Sequence, residues 1–203
     1  MTTEVRPAAT VILWRGSPGS PEVLMGQRGA GAAFMASKFV FPGGAVDPDD
    51  HLATPPLPLA EPCRRRLGLE ASGGPPPDAL ACAAARELLE ETGFSLRVSD
   101  IGAPSLRFVF RAITPPGRSR RFDARFLLAP ATAIAGNPDD FSEASDELSH
   151  LHWIGLDRAR ALDLPFITEV VLAEVGALLR GQGGEGVPFF DNRTDRPTFR
   201  RLV

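Results

Sequence analysis

The stretch Ala79–Phe94, ALACAAARELLEETGF, decides the fold. Its alanines favour helix and allow close packing against a sheet. Pro77-Asp78 supplies a start with Asp78 as N-cap, and Gly93 falls where a left-handed C-cap belongs. Ala81, Ala84, Ala85, Leu88 and Leu89 are the expected buried side. Arg86, Glu87, Glu90 and Glu91 crowd into little more than one turn, and residues three and four apart are neighbours on a helix surface. The three glutamates therefore share a face and repel by about a few tenths of a kcal/mol per pair. A hard divalent cation, which takes oxygen ligands, turns that repulsion into a binding site.

Upstream of this helix lies Phe39–Val46, FVFPGGAV. The apolar run stops at Pro42, and the Gly43-Gly44 pair permits close backbone approaches that side chains forbid. An acidic cluster follows at Asp47, Asp49 and Asp50. Residues 51–77, HLATPPLPLAEPCRRRLGLEASGGPPP, then read as a proline-rich insert, with a short helix between Glu61 and Glu70 carrying Arg64, Arg65 and Arg66. Prolines at both ends limit that helix. A loop this long is expected to be a lid or specificity element.

Further upstream, Ala8–Trp14 and Glu22–Gln27 are β-rich runs on either side of GSPGSP, which makes a hairpin. Arg28 and the loop GAGAAFMASK follow, with room to fold over a ligand. Downstream, Arg107–Thr114 and Ala124–Ala129 form a second hairpin, with Arg118, Arg120 and Arg121 expected to be solvated at its turn. Leu148–Leu156 alternates as a strand that puts His150 and His152 on one face as structural residues. Ile167–Leu179 is an amphipathic helix, with Val170, Val171, Ala173, Leu178 and Leu179 apolar. Residues 181–203 form a tail whose place this reading leaves open.

Composition limits the alternatives. A hydrophobic content of 43% with 23% charged residues is globular, while 20 Gly and 20 Pro point to long loops. The length of 203 residues fits a single domain, 1–203. A net charge of -3 gives no footprint for nucleic acid. Cys63 and Cys82 make no disulfide framework and no zinc pattern, so free thiols in a cytoplasmic protein are expected. No apolar run approaches a membrane span, and no signal segment is read at the start of the sequence.

The pieces around the helix resemble the Nudix hydrolase signature. That pattern runs Gly, five residues, Glu, seven residues, then Arg-Glu-aliphatic-any-Glu-Glu-any-Gly-aliphatic. Its second half is complete here as RELLEETGF, Arg86–Phe94. Five residues after Gly44 stands Asp50 rather than Glu, and 35 residues, 51 to 85, separate Asp50 from Arg86 instead of seven. A split box of this kind resembles the subgroup that contains the mammalian peroxisomal coenzyme A diphosphatase.

The resemblance implies an α/β/α sandwich around a mixed β-sheet and a metal-dependent hydrolase. Its expected reaction is cleavage of the pyrophosphate of a nucleoside diphosphate linked to another moiety, with coenzyme A or acyl-CoA as the subgroup's suggestion. Glu87, Glu90 and Glu91 would bind Mg²⁺ or Mn²⁺, with the Gly44 carbonyl as a further ligand. Arg86 would orient the carboxylates, and Asp50 would hold Arg86 or join the outer metal shell. Glu87 is the first choice for general base and Glu147, in the loop ahead of the Leu148 strand, the second. Arg28, Lys38 and Phe41 are the expected substrate contacts. The partner is a nucleotide-containing small molecule, and a homodimer is allowed. A non-catalytic nucleotide-sensing module of the same family is the competing reading.

Overall fold

The computed structural model describes residues 3–32, 34–98, 105–194 and 196–203. Its frame is one mixed sheet built on β1 (Val5–Ser17) and β2 (Ser20–Arg28), which pair antiparallel from Trp14–Val23 to Ser17–Ser20. Both expected strands are present and longer than the apolar pattern that announced them. β1 and β2 then splay apart, and the Phe39–Ala45 segment fills the gap. Its first half, β3 (Phe39–Val40), pairs with Gly26 and Gln27 of β2, and its second half, β4 (Gly43–Ala45), pairs with Ala8–Thr10 of β1. The Pro42 carbonyl accepts from Val11 N–H at 2.9 Å, so the wedge is bonded on both flanks. Gly43 and Gly44 are thereby fixed in the cleft of the sheet.

On its other edge β1 runs parallel to β6 (Arg121–Pro130), which pairs antiparallel with β5 (Arg107–Ile113). β7 (Leu148–Gly155) closes the far side of β2. A bulge between Met25 and Gln27, with His150 at φ 52°, interrupts the alternation on which His150 and His152 would share a face. The tail is part of the sheet. β8 (Val187–Asp191) lies parallel to β5, and β9 (Thr198–Leu202) returns antiparallel to it.

Alternation along β1 sends Ala9, Val11 and Leu13 to one face and Ile12 to the other, as the two-residue period of a strand requires. The first face is covered by α1 (Glu61–Leu67) and α2 (Pro77–Thr92), the second by α3 (Leu156–Ala159) and α4 (Phe166–Leu179). This is the expected α/β/α sandwich. In α2 the alanines and Leu88 face the sheet, but Leu89 is 49% exposed, because the sheet covers only part of the helix circumference. Gly93 adopts φ 76°, and a Cβ there would meet Glu143, so the glycine cap is required twice over. Asp78 is not the N-cap. Pro76 holds that position without a side-chain bond, and Asp78 in the first turn accepts two bonds from Arg64 at 2.7 and 3.0 Å.

That pair ties the insert to the helix, and the insert is no structureless lid. Leu57, Leu59, Cys63 and Leu67 are buried in the core of the α2 face, and Leu59 bridges to Leu106. Apolar residues dispersed among prolines conceal this packing in the sequence, since no period marks them. Leu67→Ala is expected to cost roughly 2–4 kcal/mol through the cavity it leaves, read as a lowered midpoint in urea unfolding.

The insert's end also meets the tail. Arg111 donates to Asp123 at 2.7 and 2.8 Å and to the Leu69 carbonyl at 3.1 Å. Arg111 and Arg200 stack on the Phe189 ring at 4.4 and 4.6 Å, and Arg200 pairs with Glu70. Arg125, 1% exposed, has its pKa pushed down to about 10 by burial, with Asp123 at 3.0 Å opposing the shift. Arg121 is also buried rather than solvated. Its guanidinium donates to the carbonyls of Thr114 and Asn192 at 3.0 and 2.8 Å.

Candidate active site

The β1/β2 wedge and α2 bring the two halves of the split motif together. The Gly43 N–H donates to Glu91 Oε2 at 2.8 Å, and the Gly44 backbone lies against the Glu87 carboxylate so closely that a Cβ at Gly44 would collide with it. Gly44→Ala is therefore expected to push the Glu87 carboxylate aside and to lower turnover by about tenfold or more, since displacements on the ångström scale have that effect. A kcat assay checks it, with circular dichroism to show that the fold persists.

Arg86 organises the same corner. It donates to Asp50 through Nε at 3.1 Å and Nη2 at 3.0 Å, to the Ala45 carbonyl at 2.9 Å, and through Nη1 to Glu87 and Glu90 at 3.0 Å each. Asp50 is 3% exposed and also accepts from Asp47 N–H at 2.8 Å, which closes the short turn after β4. The bidentate Asp50 contact, with Glu87 in support, holds the Arg86 pKa well above its usual value. Of the two roles open to Asp50, its geometry here is the holding of Arg86.

Glu91 is 1% exposed, and burial drives its pKa up to about 8 against the opposing Gly43 N–H, with Glu147 and Glu87 adding to the rise. Glu87 is shifted up as well, first by burial, with Arg86 opposing. Glu90 is more exposed and turned to Arg86. Among the described residues no three acidic, His or Cys side chains converge into a ready ligand set. Arg86 draws Glu90, and Arg28 draws Glu147 at 2.9 Å.

The expected substrate contacts surround a cleft of about 570 Å³ that opens beside Gly43 and Gly44. Arg28, Lys38 and Phe41 all line it. Lys38 pairs with Asp163, and Phe41 is a buried wall residue. Arg28 keeps its Nε buried without a partner. The sequence reading missed the other cleft walls, Phe34, Phe122, Phe126, Phe166 and Phe190, which come from a loop, β6, α4 and β8. Their only signal was a count of 13 Phe, which carries no position.

Solved structures resemble this arrangement over most of the chain. A Nudix hydrolase from Alicyclobacillus acidocaldarius is 26% identical, with a TM-score of 0.64 over 86% of this chain and 92% of that one. A MutT protein from Methanosarcina mazei Go1 is 17% identical, with a TM-score of 0.54 over 84% and 92%. An Ap4A hydrolase from C. elegans in a binary complex is 20% identical, with a TM-score of 0.50 over 87% and 99%. No protein-family model and no curated protein matches the sequence. Fold and site together are similar to those of a solved Nudix hydrolase. The RELLEETGF half-box beneath the Gly43-Gly44 wedge accords with that likeness.

Proposed function

We propose that the chain is a divalent-cation-dependent pyrophosphohydrolase acting on a nucleoside diphosphate linked to another moiety. The observation that carries the reading is Glu91, a carboxyl buried beside a second desolvated carboxyl, Glu87, and burdened further by Glu147. Such a group is costly to ionise alone and is relieved by a hard cation with oxygen ligands. The donor set fits Mg²⁺ or Mn²⁺, with Glu87, Glu90 and Glu91 as the holding carboxylates and the Gly44 carbonyl beside them. Bound there, the cation would neutralise phosphate charge and lower the pKa of water.

The protein's own groups supply the rest. Arg86 fixes the rotamers of Glu87 and Glu90, and Asp50 fixes Arg86. Arg28 lines the cleft, and its unpartnered Nε is a charged donor for a phosphate oxygen bound there. Water attacks phosphorus, the P–O–P bridge breaks, and the water proton passes to a carboxylate. Glu87, whose shifted pKa favours proton uptake nearer neutrality, is preferred as that base over the more exposed Glu147, which Arg28 engages.

The Ap4A hydrolase and MutT names of the similar structures accord with pyrophosphate cleavage. Coenzyme A remains the finer suggestion of the split box. The test is purified protein with Mg²⁺ or Mn²⁺ against coenzyme A, ADP-ribose, NADH and dinucleoside polyphosphates, with products followed by phosphorus NMR. Turnover of at least one substrate, dependent on the cation, is expected. No turnover of any overturns the reading, and calorimetric binding without turnover favours the sensing module instead.

A further inference from the structure

A second cavity, of about 140 Å³, lies where the insert, the tail and α4 meet, and it shares no lining residue with the cleft beside Gly43 and Gly44. The two sit at opposite ends of β5. Arg107 at the start of that strand lines the cavity and Ile113 at its end lines the cleft, roughly 20 Å away at the rise of an extended chain. Three guanidinium groups from three elements share the cavity wall: Arg66 of α1, Arg107 of β5 and Arg201 of β9. Like charges gathered from distant parts of the chain repel unless something of opposite sign joins them.

The partners on hand do not suffice. Arg201 is committed, since it pairs with Glu174 at 3.0 Å and donates to the carbonyls of Glu185 and Gly186 at 3.4 Å each. Arg66 Nε is buried without a hydrogen-bond partner among the described residues, which is costly for a charged donor. Arg107 is exposed and makes no ion pair among them. Of the two carboxylates in the wall, Glu174 is taken by Arg201 and Glu185 is exposed, where water and salt screen its charge. The N–H groups of Gly183 and Gly184, in the same wall, have no acceptor among the described residues either. The cavity therefore holds unspent donors and an excess of positive charge.

We infer that this cavity is an oxyanion site, separate from the catalytic corner, that takes a phosphoryl group between Arg66 and Arg107, free as inorganic phosphate or carried as a nucleoside monophosphate. The planar fork of a guanidinium matches the oxygens of a phosphate, and Arg66 Nε is the donor that such an oxygen would satisfy. The volume limits the ligand as well. It lies below the roughly 300 Å³ at which sites for larger organic ligands begin, so a phosphoryl group fits and an attached nucleoside stays outside. A bound anion would join α1 of the insert to β5 and to the loop ahead of β8, and so would stabilise the fold by mass action.

The test titrates the full chain calorimetrically with inorganic phosphate and with AMP, at constant ionic strength and in chelator, so that no cation recruits phosphate to the carboxylates. One saturable site per chain is expected for at least one of them. Arg66→Met and Arg107→Ala should each weaken it by about tenfold or more, because each removes a charged donor. Arg28→Met, in the catalytic cleft, should leave it unchanged. The melting temperature should rise by about 3–5 °C at ten times the dissociation constant, and this rise should vanish in Arg66→Met. Arg107 is exposed, so Arg107→Ala carries the test if Arg66→Met fails to fold. AMP binding at least tenfold tighter than phosphate names the monoester as the ligand, and equal or tighter binding of phosphate names the free anion. No saturable binding of either in the millimolar range overturns the inference. Binding that survives both Arg66→Met and Arg107→Ala, or that is lost only in Arg28→Met, also overturns it.

Discussion

Glu91→Gln should abolish most of the activity while making the metal-free protein more stable. Gln keeps the size of the side chain and an oxygen to accept the Gly43 N–H, now bonded to Glu91 at 2.8 Å. What it removes is the charge. A loss of about a thousandfold in kcat is expected, equivalent to about 4 kcal/mol of transition-state stabilisation. The stability effect follows from burial. The folded pKa of about 8 lies above the ordinary carboxyl value of 4.5, so folding favours the protonated form. That contribution is fully present below about pH 4.5 and is lost as pH rises through about 8. At pH 7 the unfolded chain is ionised and the fold resists ionisation, so Gln relieves about 1–3 kcal/mol. Urea midpoints of both proteins in chelator, from pH 4 to 9, check this. The two curves should converge in acid and separate toward alkali. Adding Mn²⁺ should raise the wild-type melting temperature by mass action and move the variant little. A variant with near-wild-type turnover would refute the metal role of Glu91.

Arg86→Met carries the second large effect, this time on folding. Arg86 is the bidentate partner of Asp50, which is 3% exposed. Breaking a buried pair from one side leaves a charge with no counterion, at a cost of about 3–5 kcal/mol. The Ala45 carbonyl loses its 2.9 Å donor in the same step, and Glu87 and Glu90 lose the group that fixes them. Activity should therefore fall together with stability. Adding Asp50→Asn removes the stranded charge and should recover a good part of the stability but not the activity. A double-mutant cycle by urea unfolding isolates the coupling. Additive stability changes would show that Asp50 and Arg86 do not act as a unit.

The parts of this protein that local pattern controls were legible in its sequence. α2 is set by alanine, a proline start and Gly93, and both hairpins by alternation around Gly and Pro. The carboxylates on one helix face follow from spacing alone. What was hidden depends on distant partners. Arg121 reads as a turn residue, yet its guanidinium is buried because the Thr114 and Asn192 carbonyls accept from it. The tail is placed by parallel pairing with β5, which no local period encodes. Leu57, Leu59 and Leu67 lie in a proline-broken segment whose contacts arise only once β5 and α2 are in position. The meeting of Gly44 with Glu87 was reachable through the resemblance, since the insert separates them along the chain. The phenylalanine cleft was not reachable at all, because its walls come from four separate elements.

The parallel alignment of β1 with β6, from Val5 beside Arg121 to Trp14 beside Pro130, also sets an order of events during synthesis. β1 and β2 emerge early and can form their hairpin at once. One edge of β1 then waits for its partner until residue 130 has left the ribosome. Long-range parallel contacts reward the chain only after the loop between them has closed. For that interval the nascent chain presents an open strand edge and an uncovered apolar face, the features by which growing chains associate with one another. That exposure ends only when β6 arrives, an interval that the stability of the finished fold does not report.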